Sequence, residues 1–72
     1  MPKKGERYRH YKGNVYEVID IVRHSETMED LVLYRNVGEP EKLWVRPIGM
    51  WDEIVHGMDG GLTKRFTKTE EP

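Results

Sequence analysis

A chain of 72 residues that contains no cysteine must be held together by one small hydrophobic core, because no disulfide can staple it. Apolar residues make up 36% of the chain and charged residues 35%, which predicts a single domain with a thin core and a heavily charged surface. Cysteine-based zinc sites, thiol catalysis and the disulfide frameworks of small secreted proteins are excluded. Without a signal-peptide pattern or an apolar run long enough to span a membrane, we expect a cytoplasmic protein with no membrane partner.

The composition favours β-strands over helices. Alanine and glutamine are absent, whereas valine, isoleucine and threonine, whose branched side chains suit a pleated sheet, are frequent. Alternating patterns bounded by turn residues predict strands at 7–12, 15–22, 31–35, 43–46 and 65–67. In the second strand the alternation slips between Val18 and Ile19, which is typical of a β-bulge.

The arrangement of these elements predicts a small closed sheet. Pro47 should end the fourth strand, and the pairs Met50/Ile54 and Trp51/Val55 stand at helical spacing, which indicates one helical turn there. The predicted fold is therefore all-β, a small five-stranded SH3-like barrel with one short helical turn before the last strand. The domain is predicted over 5–67, between a flexible N-terminus at 1–4 and a flexible C-terminal tail at 68–72.

Several short runs resemble a known family in their order and spacing. They are Tyr8-x-His10-Tyr11-Lys12-Gly13-Asn14-x-Tyr16-x-Val18, His24-Ser25-Glu26-Thr27, Leu31-Val32-x-Tyr34-Arg35, Trp44-Val45-Arg46-Pro47 and Met50-Trp51. In combination they resemble the bacterial family called domain of unknown function 1653. The resemblance implies an SH3-like barrel whose activity, ligand and catalytic residues are uncharacterised. The chain departs from the family pattern at 36–38 and 63–64, two loop positions that bear on loop geometry rather than on fold.

Strands three and four present two different faces. Leu31, Leu33, Leu43 and Val45 fall on one face, and Tyr34, Trp44 and Arg46 fall on the other. The aliphatic face is predicted to build the core. The opposite face would then expose aromatic rings beside a guanidinium, which suits stacking on a planar ligand or peptide aromatic, with Arg46 available for a carboxylate or phosphate.

The predicted ligand site adds the neighbouring loop to this face. Its residues are Tyr34, Trp44, Arg46, His24, Ser25, Glu26 and Thr27. One alternative for the face stays open: in so small a barrel, Trp44 could be a minor-core residue capped by the turn at Met50 and Trp51, with Arg46 stacked across it.

A second candidate site is the N-terminal segment 3–12, which carries five Lys and Arg residues against one acidic residue, with tyrosines interleaved. This composition is typical of a strand that contacts a nucleic-acid backbone and stacks bases. The candidate nucleic-acid-binding residues are Arg7, Tyr8, Arg9, His10, Tyr11 and Lys12. The net charge of -1 counts against this function, and basic edge strands also prevent edge-to-edge aggregation.

Catalysis and metal binding have weaker support. His24, Ser25 and Glu26 are the residue types of a hydrolase triad, and Ser25 is the only serine, but neighbours on a strand point to opposite faces and nothing supplies an oxyanion hole. We expect Ser25 and Thr27 instead to bond the loop backbone. The three histidines lack zinc-ligand spacing, so no metal and no cofactor are expected, although His10 and His24 could form a pH-sensitive pair across the first hairpin.

These observations together predict a non-enzymatic binding or interaction module. Its partner would be a protein, a peptide or a small polar ligand, with nucleic-acid binding as the alternative and a small hydrolase around His24 and Ser25 as the least favoured. Because the core is thin, the chain is expected to be a monomer or a weak homodimer.

Overall fold

The computed structural model describes residues 1–70 of the chain. Within them lie one 3₁₀ turn, Ile48–Met50, and seven strands: β1 Arg7–His10, β2 Val15–Arg23, β3 Asp30–Asn36, β4 Leu43–Pro47, β5 Ile54–His56, β6 Leu62–Lys64 and β7 Phe66–Thr69. The prediction of an all-β fold is confirmed. No helix in residues 1–70 is long and apolar enough to cross a membrane.

Five of the strands form one antiparallel sheet in the order β4-β3-β2-β1-β7, while β5 and β6 pair separately as a short ribbon. Across residues 1–70 the edge strands β4 and β7 are not paired with each other, so the sheet is open where a closed barrel was predicted. The sheet is nevertheless curled. Its two edges come close together, as shown by the distance of 5.9 Å between the Arg46 guanidinium of β4 and the centre of the Phe66 ring of β7. The two edges thus approach through side chains rather than backbone hydrogen bonds.

The predicted bulge in β2 is present. Val18 pairs with Tyr34 and Asp20 pairs with Leu33, which leaves Ile19 outside the register. The extra residue puts both Val18 and Ile21 on the face that contains Tyr34 and Val32, although they are three residues apart. A bulge also increases local twist, which accounts for the curl of the sheet in physical terms.

The chain after β4 differs from the prediction. The helical turn lies at Ile48–Met50, two residues earlier than the spacing indicated, and Ile54–His56 is a strand. The tight turn that precedes Leu62 explains the difference, because Gly60 adopts a φ of +87° and the Gly57 amide donates to the Gly61 carbonyl at 2.6 Å. This hairpin lets the 54–56 segment form backbone hydrogen bonds to a partner strand. A helix of so few residues would be less stable than that pairing.

The chain ends also extend the fold beyond the predicted domain bounds of 5–67. Strand β7 runs to Thr69 and so includes two residues of the predicted C-terminal tail, 68–72. Residues 71 and 72 of that tail lie outside the described residues. At the other end Pro2 is buried and the Lys3 amide donates to Glu6 Oε1 at 2.8 Å. The flexibility of the two ends stays a prediction.

The core is an aromatic cluster on one face of the curled sheet. Its fully or nearly buried side chains are Tyr8, Val18, Val32, Tyr34, Trp51 and Phe66. Trp51 lies at the centre: its ring stacks on Phe66 at 4.0 Å between centroids and meets Tyr8 and Tyr34 edge-on at 5.3 and 5.1 Å. Aromatic rings bury more apolar area per residue than aliphatic side chains, so few residues suffice to close this core.

The predicted core face of strands three and four is wrong. Val32 and Tyr34 are the buried residues of β3, whereas Leu43 and Val45 are 56% and 54% exposed. The physical reason is that Trp51 folds back onto the face that carries Tyr34 and covers it. The aliphatic face, which is more strongly apolar in sequence, becomes the outer surface of the sheet.

A polar network closes the end of the sheet beside Tyr8. Glu6 accepts hydrogen bonds from the Tyr8 hydroxyl at 2.9 Å and the Lys3 amide at 2.8 Å, and its second oxygen lies 3.0 Å from Lys68 Nζ. The bond from Lys68, followed by those from Lys3 and Tyr8, lowers the pKa of Glu6 to about 2. Burial and the bond to Glu6 raise the pKa of the Tyr8 phenol to about 12.

Alkaline pH is therefore expected to destabilise the protein through Tyr8. A group whose folded pKa is raised contributes stability that is complete below its unfolded pKa of 10.0 and is lost as the pH rises towards about 12. The loss is at most about 3 kcal/mol. Urea unfolding followed by circular dichroism between these pH values should show a steeper decline for the wild type than for Tyr8→Phe, which keeps the ring without the titrating hydroxyl. Parallel curves for the two proteins would contradict this assignment.

Candidate ligand-binding cleft

The inner face of the sheet is only partly covered by Trp51, and the uncovered part forms a cleft of about 250 Å³ that is open to solvent. The side chains that line it are His10, Tyr16, Tyr34, Trp44, Arg46 and Phe66. All five strands of the sheet contribute. The register brings them together, because Tyr34 pairs with Trp44 and His10 pairs with Phe66. Directly opposed residues of antiparallel strands share a face.

The rings that form the walls support one another. Tyr16 meets Tyr34 edge-on at 5.4 Å and Phe66 at 5.8 Å, and His10 meets Phe66 at 5.1 Å. Such edge-to-face contacts fix ring orientation before any ligand arrives. Trp44 differs, since it is 54% exposed and no ring within residues 1–70 stacks on it. Its ring therefore offers an unoccupied stacking surface at the rim.

Arg46 supplies the charge of the cleft. Its side chain lies over the Phe66 ring, while its Nε is buried and has no hydrogen-bond partner in residues 1–70. Every guanidinium nitrogen is a donor, so any partner that Arg46 takes up must offer an acceptor atom such as oxygen. No aspartate or glutamate lines the cleft.

His10 connects the cleft to nearby cations. Burial, and then the charges of Arg65, Lys12 and Arg46, lower the pKa of His10 below its usual 6.5. Its Nδ1 accepts a hydrogen bond from the Lys12 amide at 3.1 Å. At neutral pH the ring is therefore uncharged and carries its proton on Nε2, which leaves a second donor in the wall.

The structure brings part of the predicted ligand site together. Tyr34, Trp44 and Arg46 all line the cleft, with Tyr34 7% exposed at its floor and Trp44 at its rim. The alternative that made Trp44 a minor-core residue is wrong, because more than half of its surface is exposed and Trp51 occupies the core instead. Whether these residues bind a ligand stays a prediction.

The loop residues His24, Ser25, Glu26 and Thr27 do not line the cleft. They form the exposed turn between β2 and β3, where His24 Nδ1 accepts hydrogen bonds from the amides of Glu26 and Thr27 at 3.1 and 3.3 Å. Thr27 Oγ1 accepts from the Glu29 amide at 3.2 Å. The expected clasp of this loop is thus made by Thr27 and the His24 ring, without a hydrogen bond from Ser25 in the described residues.

The expected proximity of His10 and His24 is wrong. Strand β1 pairs with the beginning of β2, where Arg9 faces Val15, whereas His24 follows the last residue of β2. The two rings therefore lie at opposite ends of a nine-residue strand. Residues 1–70 contain no group of three or more histidine, aspartate or glutamate side chains placed to hold a metal ion.

The candidate nucleic-acid strand is divided between two faces. Tyr8 is buried in the core and Arg7 lies on the other face, 3.7 Å from Glu17. Only His10 reaches the cleft. A second hollow of about 540 Å³ lies beside it, and its lining includes His10 together with Arg9, Tyr11 and Lys64. Lys12, which is exposed, lies over the Tyr11 ring at 5.8 Å.

Sequence reasoning missed Tyr16 and Phe66 and placed His10 only in the alternative site. The available signal was alternation: Tyr16 stands two residues before Val18 on the same strand, and His10 two residues after Tyr8, so each shares a face with a core residue.

Residues 6–68 match the family model described as a protein of unknown function, DUF1653. The fold is similar to the crystal structure of a protein of that family from Bordetella bronchiseptica, with 31% sequence identity and a TM-score of 0.74. The similarity covers 93% of this chain and 85% of that chain. No curated protein matches the chain significantly.

Proposed function

The chain belongs to the DUF1653 family of unknown function, and on that premise we propose that it is a non-enzymatic binding module of the bacterial cytoplasm. Its SH3-like curled sheet holds a planar group of a protein, a peptide or a small polar ligand in the cleft. The observation that carries the proposal is the exposed Trp44 ring at the rim of an aromatic cleft that also contains Arg46. Concave sites with aromatic walls and a few polar groups are typical of ligand binding.

Pre-organisation of the walls supports this function. Tyr16, Tyr34 and Phe66 already hold one another edge-on, so a ligand need not order them. Binding a ring against Trp44 then costs little conformational entropy. An aromatic contact of this kind contributes about 0.5–1.5 kcal/mol beyond the buried area.

The chemistry of the lining supports a binding role over a catalytic one. The histidine of the lining, His10, has no serine, threonine, aspartate or glutamate beside it in the cleft, so a hydroxyl nucleophile or an orienting carboxylate is not supplied there. The hydrolase alternative would rely on His24, whose Nδ1 is engaged by two amides of its own turn.

Nuclear magnetic resonance (NMR) can test the binding function with N-acetyl-tryptophanamide, a neutral probe that carries one planar ring. We expect the indole N–H signal of Trp44 and the amide signals of β4 and β7 to shift on titration, while the buried Trp51 indole stays in place. Trp44→Ala should remain folded and bind the probe about tenfold more weakly, since 1.4 kcal/mol corresponds to a factor of ten. Unchanged spectra, or shifts centred on the loop at 24–27, would contradict the cleft as the binding site.

Binding of single-stranded nucleic acid is a second candidate, favoured by the position of His10. This residue is shared by the cleft and by the neighbouring hollow with Arg9, Tyr11 and Lys64, so a strand stacked on Trp44 could continue over a basic surface. A pool of short RNA and DNA should then shift the signals of residues 9–12 together with Trp44, and added salt should weaken the effect. Spectra that do not respond to the pool would remove this candidate.

A further inference from the structure

We propose that the cleft selects ligands in which an anionic oxygen group stands beside a planar ring, and that Arg46 is the residue that recognises the anion. The inference rests on the proposed binding function and adds the chemical class of the ligand. Three features of the structure support it: the lack of a hydrogen-bond partner or ion pair for Arg46 in residues 1–70, the charges around the cleft, and the spacing of Arg46 from Trp44.

Arg46 differs from the other arginines of the chain. Arg7 and Arg35 lie 3.7 and 2.8 Å from Glu17, Arg23 lies 3.3 Å from Asp30, and Arg65 lies 2.8 Å from Glu53. Arg9 donates to the Gly13 carbonyl at 2.7 Å. Among residues 1–70, Arg46 is the arginine without a hydrogen bond or an ion pair, and its Nε is buried. A carboxylate or phosphate oxygen that accepts from the Arg46 guanidinium would supply the partner that the described residues do not.

The charges around the cleft have one sign. The lining contains one arginine and no carboxylate, and the positive charges of Arg65, Lys12 and Arg46 all act on His10. Glu53 is held by Arg65 and is not part of the lining. A site with this balance favours an anion and disfavours a cation such as a lysine side chain.

The spacing of the two β4 residues sets the shape of the ligand. Trp44 and Arg46 are two positions apart on one strand, so they share a face and are separated by about 6–7 Å. The guanidinium therefore lies within reach of a short substituent on a ring that stacks on Trp44. With about 250 Å³ available, the cleft admits one ring system and one acidic group, as in an aromatic amino acid with a free carboxylate or a nucleoside monophosphate.

Proton uptake should accompany anion binding. His10 contacts the rings of Tyr11, Tyr16 and Phe66, and the charged groups that act on it are Arg65, Lys12 and Arg46. Burial, and then these cations, hold the pKa of His10 low in the free protein, and a bound anion opposes the effect of the cations and raises it. A ligand that raises the pKa of a group binds more tightly as the pH falls through that range. Affinity for a carboxylate ligand should therefore increase between neutral and mildly acidic pH.

The test compares matched pairs of probes that differ in charge. N-acetyl-tryptophan is compared with N-acetyl-tryptophanamide, and uridine monophosphate with uridine, by NMR titration at fixed salt concentration. We expect the charged member of at least one pair to bind about tenfold more tightly than its neutral partner and to shift the Arg46 Nε–H signal. The first pair reports on carboxylates and the second on phosphates.

Two substitutions of equal charge change provide the control. Arg46→Gln should abolish the preference for the charged probe and keep the weaker binding of the neutral one. Arg23→Gln removes the same charge from an exposed ion pair outside the cleft and should keep the preference. If Arg46→Gln does not fold, Arg46→Met, which retains an apolar side chain over Phe66, replaces it. His10→Gln should reduce the pH dependence of carboxylate binding.

The outcomes separate the two proposals. Equal binding of charged and neutral probes at the cleft would overturn the anion selectivity and leave the binding function standing. Absence of binding by all four probes would overturn both. A preference that persists in Arg46→Gln would show that the anion is recognised elsewhere, and would overturn the role of Arg46.

Discussion

Trp51→Ala is expected to unfold most of the protein at room temperature, whereas Trp44→Ala should leave it folded. Trp51 is fully buried and contacts three other aromatic rings, at centroid distances of 4.0, 5.1 and 5.3 Å. Truncation of a buried tryptophan to alanine costs about 3–5 kcal/mol. A domain of this size has about 3–5 kcal/mol of stability from its core in total, so little or none would remain. Trp44 is half exposed, and its truncation should cost less than about 1 kcal/mol.

The measurement is urea unfolding of both variants, followed by far-ultraviolet circular dichroism and compared with the wild type. Trp51→Phe gives a graded check, because the Trp51 indole nitrogen is buried without a hydrogen-bond partner in residues 1–70. Phenylalanine keeps an aromatic ring against Phe66 and removes that unsatisfied donor, so this variant should lie between Trp51→Ala and the wild type. A folded Trp51→Ala with a wild-type unfolding midpoint would mean that the aromatic cluster is not the core.

The strands could be predicted because their signals are local. Gly13, with a φ of +112°, forms the turn after the first strand, Pro47 ends the fourth strand, and the slip at Ile19 marks the bulge within a single strand. Each of these effects depends on residues that are adjacent in sequence. Strands β5 and β6 were missed because each has three residues, too few for an alternating pattern to stand out from chance.

The orientation of the sheet could not be predicted in the same way. Alternation separates Leu31 and Leu33 from Val32 and Tyr34, but both sets are apolar, so the pattern does not tell which face is buried. The choice is made by Trp51, which lies 17 residues beyond Tyr34 and packs onto it. A contact of that sequence separation is invisible to a local pattern.

The lining of the candidate cleft contains residues that local signals predict and residues that only long-range pairing brings in. Trp44 and Arg46 were predicted together because two residues of one strand share a face whatever the rest of the chain does. Phe66 enters only through the pairing of β7 with β1, and Tyr16 through the register between β2 and β3. Local alternation thus found the β4 wall of the cleft, and strand pairing supplied the others.

The buried face can be established by placing one charge on each side of the sheet. Val32→Asp should unfold the protein, because Val32 is 0% exposed and a carboxylate there would be desolvated among aromatic core side chains, a cost that Arg46, opposite it on β4, offsets only in part. Desolvation of a buried charge costs several kcal/mol, on the order of the whole stability of the domain. Val45→Asp makes the same substitution on the neighbouring strand, where the side chain is 54% exposed on the opposite face. The free energy of unfolding of Val45→Asp should fall by no more than about 1 kcal/mol, which is the range of β-propensities.

Val32→Thr refines this comparison, since threonine matches valine in shape and differs by one hydroxyl. Its hydroxyl would be buried in the aromatic core, so we expect a loss of about 1–3 kcal/mol, against nearly none for Val45→Thr. Urea unfolding midpoints of the four variants give the ranking. If instead the aliphatic face were the core, as its more strongly apolar sequence had predicted, the outcomes would be reversed: Val45→Asp would unfold the protein and Val32→Asp would be tolerated. Since each variant pair has the same chemistry, only the face on which the residue lies can produce the difference.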